Sequence, residues 1–563
     1  MSWRSITIAS PYTETLFEVP ENRVGHDKKA ELRRTVTPWG SFSWGYSDVG
    51  ADIFVGLGLV LGAAAGASNV AFLFAGIVYV CIGLAYTELA ATYPVAGGGQ
   101  YFVLRGLGDI FGFIAGWAVL LDFTIDISLF TWTCVDYMSS LAPALSSVNH
   151  PFNHFALAAL FIVGLCALNV IGVRESTAFN GFVSGLDILS ETAILTLGFL
   201  FAFDPHLLVH TMQVSWPTSD MFMKGISLAI VSFVGLESIS QAAQETQRPA
   251  SVIPRTSVAL ILTILIFALA YSNLALGMHT WHAIPPDAHG HPQMLWQWLG
   301  NDQNNGRAVA LLAAQVPYFG ALAALYVPIL GSILLLISAN SGVFGSSRIA
   351  YAMSKGTLLP STFARVHPKF RTPVVSLVAF SGIALLELIF AAIPSLDHGV
   401  AAIYAHLFNG ESGLDFLADL YAFGAATSYS FVFIALIALR LYDPLSPRKF
   451  KMPFNIPVTV RGERAEFPIV AVIGFIGIFA ILLFTLKTHI IGRIAGPAWL
   501  ILGIIIYFIY RARHDLPLFK SKPRDWRKEQ VEILRNAGEL ELMDEYIANI
   551  KASNARQAGG SVT

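Results

Sequence analysis

The chain has 563 residues, of which 55% are hydrophobic and only 13% are charged, and its formal net charge is −2. An average soluble protein is about 25% charged, so this composition, with a mean hydropathy of +0.61, excludes an ordinary soluble protein. We expect a polytopic membrane protein that is surrounded by a lipid bilayer and has no nucleic-acid partner.

Apolar stretches recur along most of the chain without a polar domain between them. A helix needs about 20 mostly apolar residues to cross a bilayer, and these stretches are too long and too uniform for strands. The sequence predicts twelve transmembrane helices, at 45–66, 70–92, 110–139, 155–172, 180–203, 222–245, 256–277, 318–345, 373–393, 416–440, 467–486 and 491–511. They form one transmembrane domain, 45–511, between an N-terminal tail, 1–44, and a C-terminal tail, 512–563.

Basic residues are distributed unevenly between the loops. Twelve crossings place both tails on one side, and all of the 35 Lys and Arg residues fall on that side except Lys224, Arg307, Lys487 and Arg493. Because cytoplasmic loops carry the excess of Lys and Arg, both termini are predicted to be cytoplasmic, in a plasma membrane protein. The first 40 residues contain no short apolar region with a cleavage site, so we expect no removable signal peptide.

Several carboxylates lie inside segments that otherwise match lipid-spanning helices. An ionised carboxylate at the bilayer centre costs roughly 2.5–3.5 kcal/mol even on lenient insertion scales. We therefore expect these side chains to face the interior of the bundle or a water-filled path, where they bind cations, carry protons, or both. They are Asp48 and Asp52 in the first segment, Asp122 and Asp126 in the third, Asp187 and Glu191 in the fifth, and Glu237 in the sixth.

The pair in the third segment suits proton transfer. Asp122 and Asp126 are four residues apart and so share one helix face. Two carboxylates this close in a low-dielectric site should not both ionise, which favours the uptake and release of protons; the alternative is a hydrogen-bonded structural pair. Three further acids are predicted to be structural: Glu88 as the partner of a cytoplasmic arginine, and Asp136 and Asp419 as solvated or capping groups near external helix ends.

The polar segments give fewer signals. Residues 524–553 have the apolar stripe of an amphipathic helix, interrupted at Gly538, which we expect to lie on the cytoplasmic face. The external loop 278–317 contains several histidines, but their spacing matches no zinc pattern, and a solvated loop is expected. The three cysteines show no pairing pattern. We therefore predict neither a metal nor a cofactor.

A group of motifs is informative when taken jointly. The motifs are Glu88-Leu89 with Pro94, Gly97, Gly98 and Tyr101; Gly172-Val173-Arg174-Glu175-Ser176; Phe233, Gly235 and Glu237; Ser347-Arg348 with Tyr351 and Pro360; and Phe416 to Leu420. Together they resemble the amino acid–polyamine–organocation (APC) permease superfamily over about residues 45–455.

This resemblance implies a LeuT-like fold. Helices 1–5 and 6–10 would form two inverted repeats, with helices 1 and 6 broken near the midplane so that their exposed backbone ends hold the substrate. Gly50, Gly56 and Gly58 around the first break, and Gly235 at the sixth segment, are the permissive residues expected. The resemblance implies that the substrate lies between two walls, one formed by Gly50, Ala51 and Asp52 and the other by Phe233, Gly235 and Glu237.

Two positions depart from the superfamily pattern. The segment Gly50-Ala51-Asp52 stands where many amino acid permeases have Gly-[Ser/Ala]-Gly, and Asp187 stands where some proton-coupled members place a lysine. Both changes add negative charge, which favours a cationic substrate or carboxylate-based proton coupling. We assign proton coupling to Asp122, Asp126 and Asp187.

The function predicted from the sequence is secondary active transport. The protein would import an amino acid or a related organic amine together with protons; the alternative is a proton-coupled importer of an inorganic cation such as potassium. An enzyme is not expected, since no intramembrane His-x-x-x-His, H-E-x-x-H or Ser/His/Asp set is present. A channel is disfavoured because the motifs imply alternating access.

Overall fold

The structure, a computed structural model, describes residues 36–95, 97–172, 177–287, 289–396, 412–460 and 462–559. Residues 1–35 of the predicted N-terminal tail, and residues 173–176 of the motif after the fourth segment, lie outside these ranges. The described residues form a bundle of α-helices with one small β-hairpin.

The first part of the bundle runs to the middle of the chain. Its helices are α1 (Pro38–Ala64), α2 (Ser68–Thr92), α3 (Gly98–Leu107), α4 (Asp109–Ser139), α5 (Pro151–Ile171), α6 (Thr177–Phe201), α7 (Pro205–Val214), α8 (Ser219–Ala229) and α9 (Glu237–Ala242). The remaining elements are α10 (Pro249–Gly277), α11 (Leu295–Leu299), α12 (Ala308–Ala314), α13 (Gly320–Lys355), α14 (Val374–Leu396), α15 (Gly413–Tyr442), β1 (Asn455–Val460), β2 (Glu463–Pro468), α16 (Ile469–Thr488), α17 (Ile490–Arg513), α18 (Trp526–Asn536) and α19 (Leu540–Gly559).

The helices confirm an all-α polytopic membrane protein. Within the described ranges, 11 stretches are long and apolar enough to cross a membrane. The first of them, Pro38–Thr92, contains both α1 and α2, which are separated by the short 3₁₀ turn Ala65–Ala67. The count of twelve crossings stays a prediction.

Burial separates central helices from peripheral ones. In α4 and α15, 83% of the most apolar window is buried inside the protein, against 17% in α5 and 28% in both α16 and α17. The central helix α4 packs against α13 and α15, and α1 packs against α6, α8 and α10. The predicted carboxylates of the first, third and sixth segments therefore lie in the middle of the bundle.

The sixth segment is broken, as predicted. After α8 a 3₁₀ turn covers Ile230–Phe233, Val234 is extended, and Gly235 takes φ +105° before α9 begins at Glu237. A left-handed φ of this kind is readily adopted only by glycine. Gly235 thus permits the change of direction that brings the first residue of α9 into the bundle interior.

The first segment differs from the expectation. Helix α1 is continuous from Pro38 to Ala64, so the predicted break near Gly50 is corrected. Its glycines serve close packing instead: a Cβ on Gly56 would lie 1.8 Å from Ser232 Oγ, and one on Gly58 would lie 2.1 Å from the carbonyl oxygen of Asn305. Other chain segments approach α1 at these positions while its hydrogen-bond ladder remains intact.

Both described ends of the chain lie at one end of the bundle, which we call the tail face. Val36 pairs with the backbone beside Thr246, just before α10. The predicted C-terminal helix consists of α18 and α19, and Gly538 separates them with φ +70°, which confirms the predicted interruption. The sequence did not predict the antiparallel β1–β2 hairpin that joins α15 to α16.

Candidate functional site

Five carboxylates from three elements converge in the middle of the bundle. They are Asp48 and Asp52 of α1, Asp122 and Asp126 of α4, and Glu237 of α9, and each is at most 4% exposed. Asp52 lies within electrostatic range of the other four. We call this set the central carboxylates. All five were predicted to face the bundle interior, and four of them were assigned to the substrate or proton site; Asp48 joins these four because it lies one helical turn before Asp52.

Glu237 connects the broken segment to two neighbouring helices. The hydroxyl of Tyr429 on α15 donates a hydrogen bond to Glu237 Oε2 at 2.8 Å. The carboxyl group of Asp122 also lies within hydrogen-bonding range of Glu237. Because an ionised carboxylate only accepts hydrogen bonds, a bond between these two groups requires that one of them carries a proton.

Hydroxyl groups on α13 and α15 reach two other members of the set. Ser338 Oγ donates to Asp48 Oδ1 at 3.2 Å, and Tyr421 OH donates to Asp126 Oδ1 at 3.2 Å. A Cβ on Gly342 would lie 2.5 Å from Asp126 Oδ2, so α13 approaches this carboxylate closely. These two carboxylates are therefore anchored by the surrounding helices.

Asp52 differs from its neighbours. Both of its carboxylate oxygens are buried, and neither has a hydrogen-bond partner among the described residues. The charges that act on it most strongly are all carboxylates. Burying ionised groups without a compensating partner is costly. The arrangement therefore fits a cationic group, or protons, at Asp52.

The remaining predicted residues of the first wall lie inside a regular helix. Gly50 and Ala51 are buried in α1, and a Cβ on Gly50 would lie 3.1 Å from the ring of Tyr46. Since α1 is unbroken, the amides of residues 50–52 belong to its hydrogen-bond ladder. They are not exposed to receive a substrate carboxylate in this conformation, and the predicted part of Gly50 and Ala51 in substrate binding stays a prediction.

The residues predicted to form the second wall of the substrate site lie at the break in the sixth segment. A Cβ on Gly235 would lie 3.1 Å from Asp48 Oδ2, so a larger residue there would press on this carboxylate. Phe233 is fully buried and stacks on the ring of Tyr79 with 4.8 Å between centroids. The hydroxyl of Tyr79 is buried near Asp52. Phe233 therefore positions an aromatic pair beside the central carboxylates.

Asp187 lies in a separate cluster. It pairs with Glu191 on α6, and the hydroxyl of Tyr46 lies 2.8 Å from Asp187 Oδ2 and 3.0 Å from Glu191 Oε2. A tyrosine hydroxyl carries a single hydrogen, so Tyr46 can donate to only one of these two carboxyl groups at a time. The structure does not bring Asp187 to the central carboxylates, and its predicted part in proton coupling stays a prediction.

The acids predicted to be structural are indeed paired, although two of them differ in detail. Glu88 binds Arg440 through two contacts of 2.5 Å, as expected for a partnership with an arginine. Asp136 and Asp419 were expected to be solvated or capping groups. Both are buried instead, and they pair with His154 and His489, respectively.

Sequence reasoning missed the hydroxyl groups that hold the site. Asp48 was expected in the bundle interior but was not assigned to the site, although it carried a usable signal, since it shares a helix face with Asp52. Tyr421 and Tyr429 carried none, because nothing distinguishes them among the 18 tyrosines of the chain. In the part of the chain that the structure describes, no group of three or more His, Cys, Asp and Glu side chains is arranged to hold a metal ion.

An enclosed set of carboxylates beside a broken helix, within a bundle of apolar helices, defines a multi-pass membrane transporter for a small molecule. Comparison with known proteins agrees. Residues 37–510 match the family model described as "Amino acid permease". The chain belongs to this family, which is part of the APC superfamily; it is a permease and not an enzyme, and its fold is the LeuT-like one.

Several characterised relatives match most of the chain. The branched-chain amino acid permease BcaP of Bacillus subtilis is 25% identical over 83% of this chain and 90% of its own length. The methylthioribose transporter of the same organism is 25% identical over 88% of this chain and 97% of its own. The low-affinity putrescine importer PlaP of Escherichia coli is 25% identical over 66% of this chain and 77% of its own.

Proposed function

We propose that this permease imports an organic amine or an amino acid whose ammonium group binds at Asp52, and that import is coupled to protons. The observation that carries the proposal is the state of Asp52, which has two buried oxygens without partners in the midst of four other carboxylates. An ammonium group has three donors and a positive charge, so it supplies what this position lacks.

The geometry of α1 favours a substrate that is recognised by its positive charge. In a LeuT-like site, free amides at a broken helix receive an anionic group, whereas the amides of residues 50–52 are used within α1. The second wall offers the backbone around Gly235 and the Phe233–Tyr79 stack, beside which an aliphatic chain could pack. A diamine, or an amino acid with a cationic side chain, has this combination of groups. The relationship to a putrescine importer supports the same substrate class.

Proton coupling would use the pair formed by Asp122 and Glu237. The two carboxyl groups lie close together, and a hydrogen bond between them requires that one of them carries a proton. Loss of that proton would leave two adjacent negative charges on α4 and α9 and favour their separation. Such a step would link protonation to movement of the broken segment, with Asp126 and Asp187 as further proton-carrying groups.

The distribution of basic residues supports an orientation of the protein, and the membrane potential then favours one direction of transport for a cation. With the tails 1–44 and 512–563 in the cytoplasm, the tail face would be the inner face of a plasma membrane protein. A cationic substrate then also gains about 2.3 kcal/mol per charge per 100 mV on entry. Import is therefore the favoured direction.

The alternative cargo is an inorganic monovalent cation such as potassium, since the negative charge alone would attract one. Hard cations prefer several oxygen ligands around them. Of the central carboxylates, Asp48, Asp126 and Glu237 already accept hydrogen bonds from neighbouring hydroxyl groups. An ammonium group needs fewer free oxygens, so it suits this site better.

Uptake by the purified protein in liposomes tests both cargos. Labelled putrescine, lysine, leucine and rubidium would be offered with and without an imposed pH gradient, acidic outside. We expect uptake of putrescine or lysine, and an accumulation ratio that rises about tenfold for each pH unit if one proton is carried. Rubidium uptake without amine uptake would refute the amine site. Amine uptake that ignores the pH gradient would refute proton coupling.

A further inference from the structure

The two C-terminal helices, α18 and α19, fold back onto the tail face. We call them the tail pair. Although Gly538 separates them, they pack against each other and form one unit with a buried apolar side. That side consists of Leu534, Leu542, Tyr546 and Ile550, which cluster with Ala250 of α10. The tail pair is therefore a docked element of the fold.

The first anchor of the tail pair lies on α2 and α3. Gln530 is fully buried; its amide oxygen accepts a hydrogen bond from Arg105 Nη1 at 2.8 Å, and its amide nitrogen donates to the carbonyl of Thr92 at 3.0 Å. Glu529 accepts a hydrogen bond from the hydroxyl of Tyr101 at 2.9 Å. The start of the tail pair is thus fixed to the polypeptide that joins α2 to α4.

The second anchor lies at the start of α10. Glu539, in the turn between α18 and α19, accepts a hydrogen bond from the backbone amide of Ala250 at 3.1 Å. Ala250 is the second residue of α10, so this carboxylate caps a helix N-terminus, where a negative charge is favourable. Glu539 also pairs with Lys449 at 3.2 Å. The same short unit therefore holds α3 and α10 at once.

The two anchored helices lie next to the broken sixth segment. The start of α10 follows α9 closely along the chain, and α9 begins at Glu237, a central carboxylate. Helix α9 itself packs against α3. A narrow crevice lies between α2, α9 and α10, lined by residues that include Thr87, Ser240 and Ser257. Under alternating access, opening the site toward the tail face would move α9 and the start of α10 away from α3.

We propose that the tail pair is a latch that holds the tail face closed and that its release limits opening on that side. The latch joins α3 to α10 through Gln530 and Glu539, so both contacts must break or stretch when the two helices part. This inference rests on the proposed transport function only in assuming alternating access, and it is independent of the substrate.

Accessibility of a reporter cysteine tests the latch directly. Ser257, on the α10 wall of the narrow crevice, would be replaced by cysteine in a background with Cys81, Cys134 and Cys166 changed to alanine. A membrane-impermeant thiol reagent would then be applied from the tail side of the reconstituted protein. The test variants are Glu539→Ala and Gln530→Ala, and the matched control is Glu532→Ala, an exposed acid on α18.

We expect both test variants to label about fivefold to tenfold faster than the parent, since each loses a hydrogen bond to a charged or capping partner, and the control to label at the parental rate. The two anchors lie on different helices, so a folding defect at one does not account for faster labelling at both. Thermal unfolding midpoints within a few degrees of the parent would exclude general loosening.

Unchanged or slower labelling in both variants would overturn the latch. So would faster labelling that is accompanied by a large fall in the unfolding midpoint, because the tail pair would then contribute to overall stability alone. Neither result depends on uptake of any amine, so failure of the latch and failure of the proposed transport function can be told apart.

Discussion

Acidic residues behave differently at the tail face and at the centre of this bundle. At the tail face, Glu88, Asp109 and Asp443 are each paired with an arginine, at 2.5 to 2.8 Å. At the centre, Asp52 is surrounded by carboxylates and has no hydrogen-bond partner among the described residues. Acidic side chains thus form ion pairs with arginines at the tail face, whereas at the centre Asp52 is surrounded by further acids.

The contrast follows from the cost of burying charge. A buried ion pair offsets its desolvation only when its geometry is good and its remaining oxygens are hydrogen-bonded. Glu88 meets this condition, since it accepts from Arg440 Nε and Nη2 and from the amide of Met452, with Arg448 at 3.5 Å. Asp52 does not meet it. We conclude that the paired acids stabilise the fold, and we propose that the unpaired acid serves a ligand.

The largest effect is expected at Glu88. The change Glu88→Gln leaves the buried guanidinium of Arg440 without its main counter-charge, and breaking a buried pair in this way costs about 3–5 kcal/mol. The protein should show a much lower unfolding midpoint and lower yield in membranes. The double variant Glu88→Gln with Arg440→Met should recover part of the loss. A single variant as stable as the parent would contradict the structural role of this pair.

The second largest effect is expected at Asp52, where a substitution should lower transport without lowering stability. The change Asp52→Asn removes an unpaired buried charge, so the unfolding midpoint should stay the same or rise. Uptake of the amine should fall at least about 30-fold, because removing one partner of a buried charge pair costs about 2–5 kcal/mol. The matched control is Glu387→Gln, a buried intramembrane acid that accepts a hydrogen bond from Thr124 at 2.9 Å and lies outside the central carboxylates. Equal uptake losses in the two variants would remove the distinction between Asp52 and other buried acids.

Much of the fold could be predicted because apolar length and motif spacing are local properties of the sequence. The helical segments, the break at Gly235 and the interruption at Gly538 each depend on a few consecutive residues. The continuity of α1 could not be predicted in the same way. Gly56 and Gly58 are permissive for a break, and only the positions of Ser232 and Asn305 show that they are used for close packing.

The site could be predicted in part for a similar reason. Charge inside an apolar segment identified Asp52, Asp122 and Glu237, and the superfamily resemblance gave them a common location. Whether each acid is paired depends on residues far away in the chain: Tyr429 is 192 residues from Glu237. The separation of Asp187 from the central carboxylates has the same origin, because its partner Tyr46 lies on another helix.

The smallest effect concerns Asp443 and sharpens the comparison on the tail face. Burial would raise the pKa of this carboxyl group, but Arg105, Arg448 and Ser446 hold the pKa below its ordinary value, which is about 3.9. The hydroxyl of Tyr93 also donates to it at 3.1 Å. A group whose pKa is lowered by folding adds stability that is complete above its ordinary pKa and is lost as the pH falls through the lowered value.

We therefore expect Asp443→Asn to cost about 1.5–3 kcal/mol, equally at pH 5, 6.5 and 8, as measured by thermal unfolding. The cost should shrink only below about pH 4. If it already shrinks between pH 8 and pH 5, the group is not held ionised by its arginines, and the tail face would share the proton chemistry that we assign to the centre.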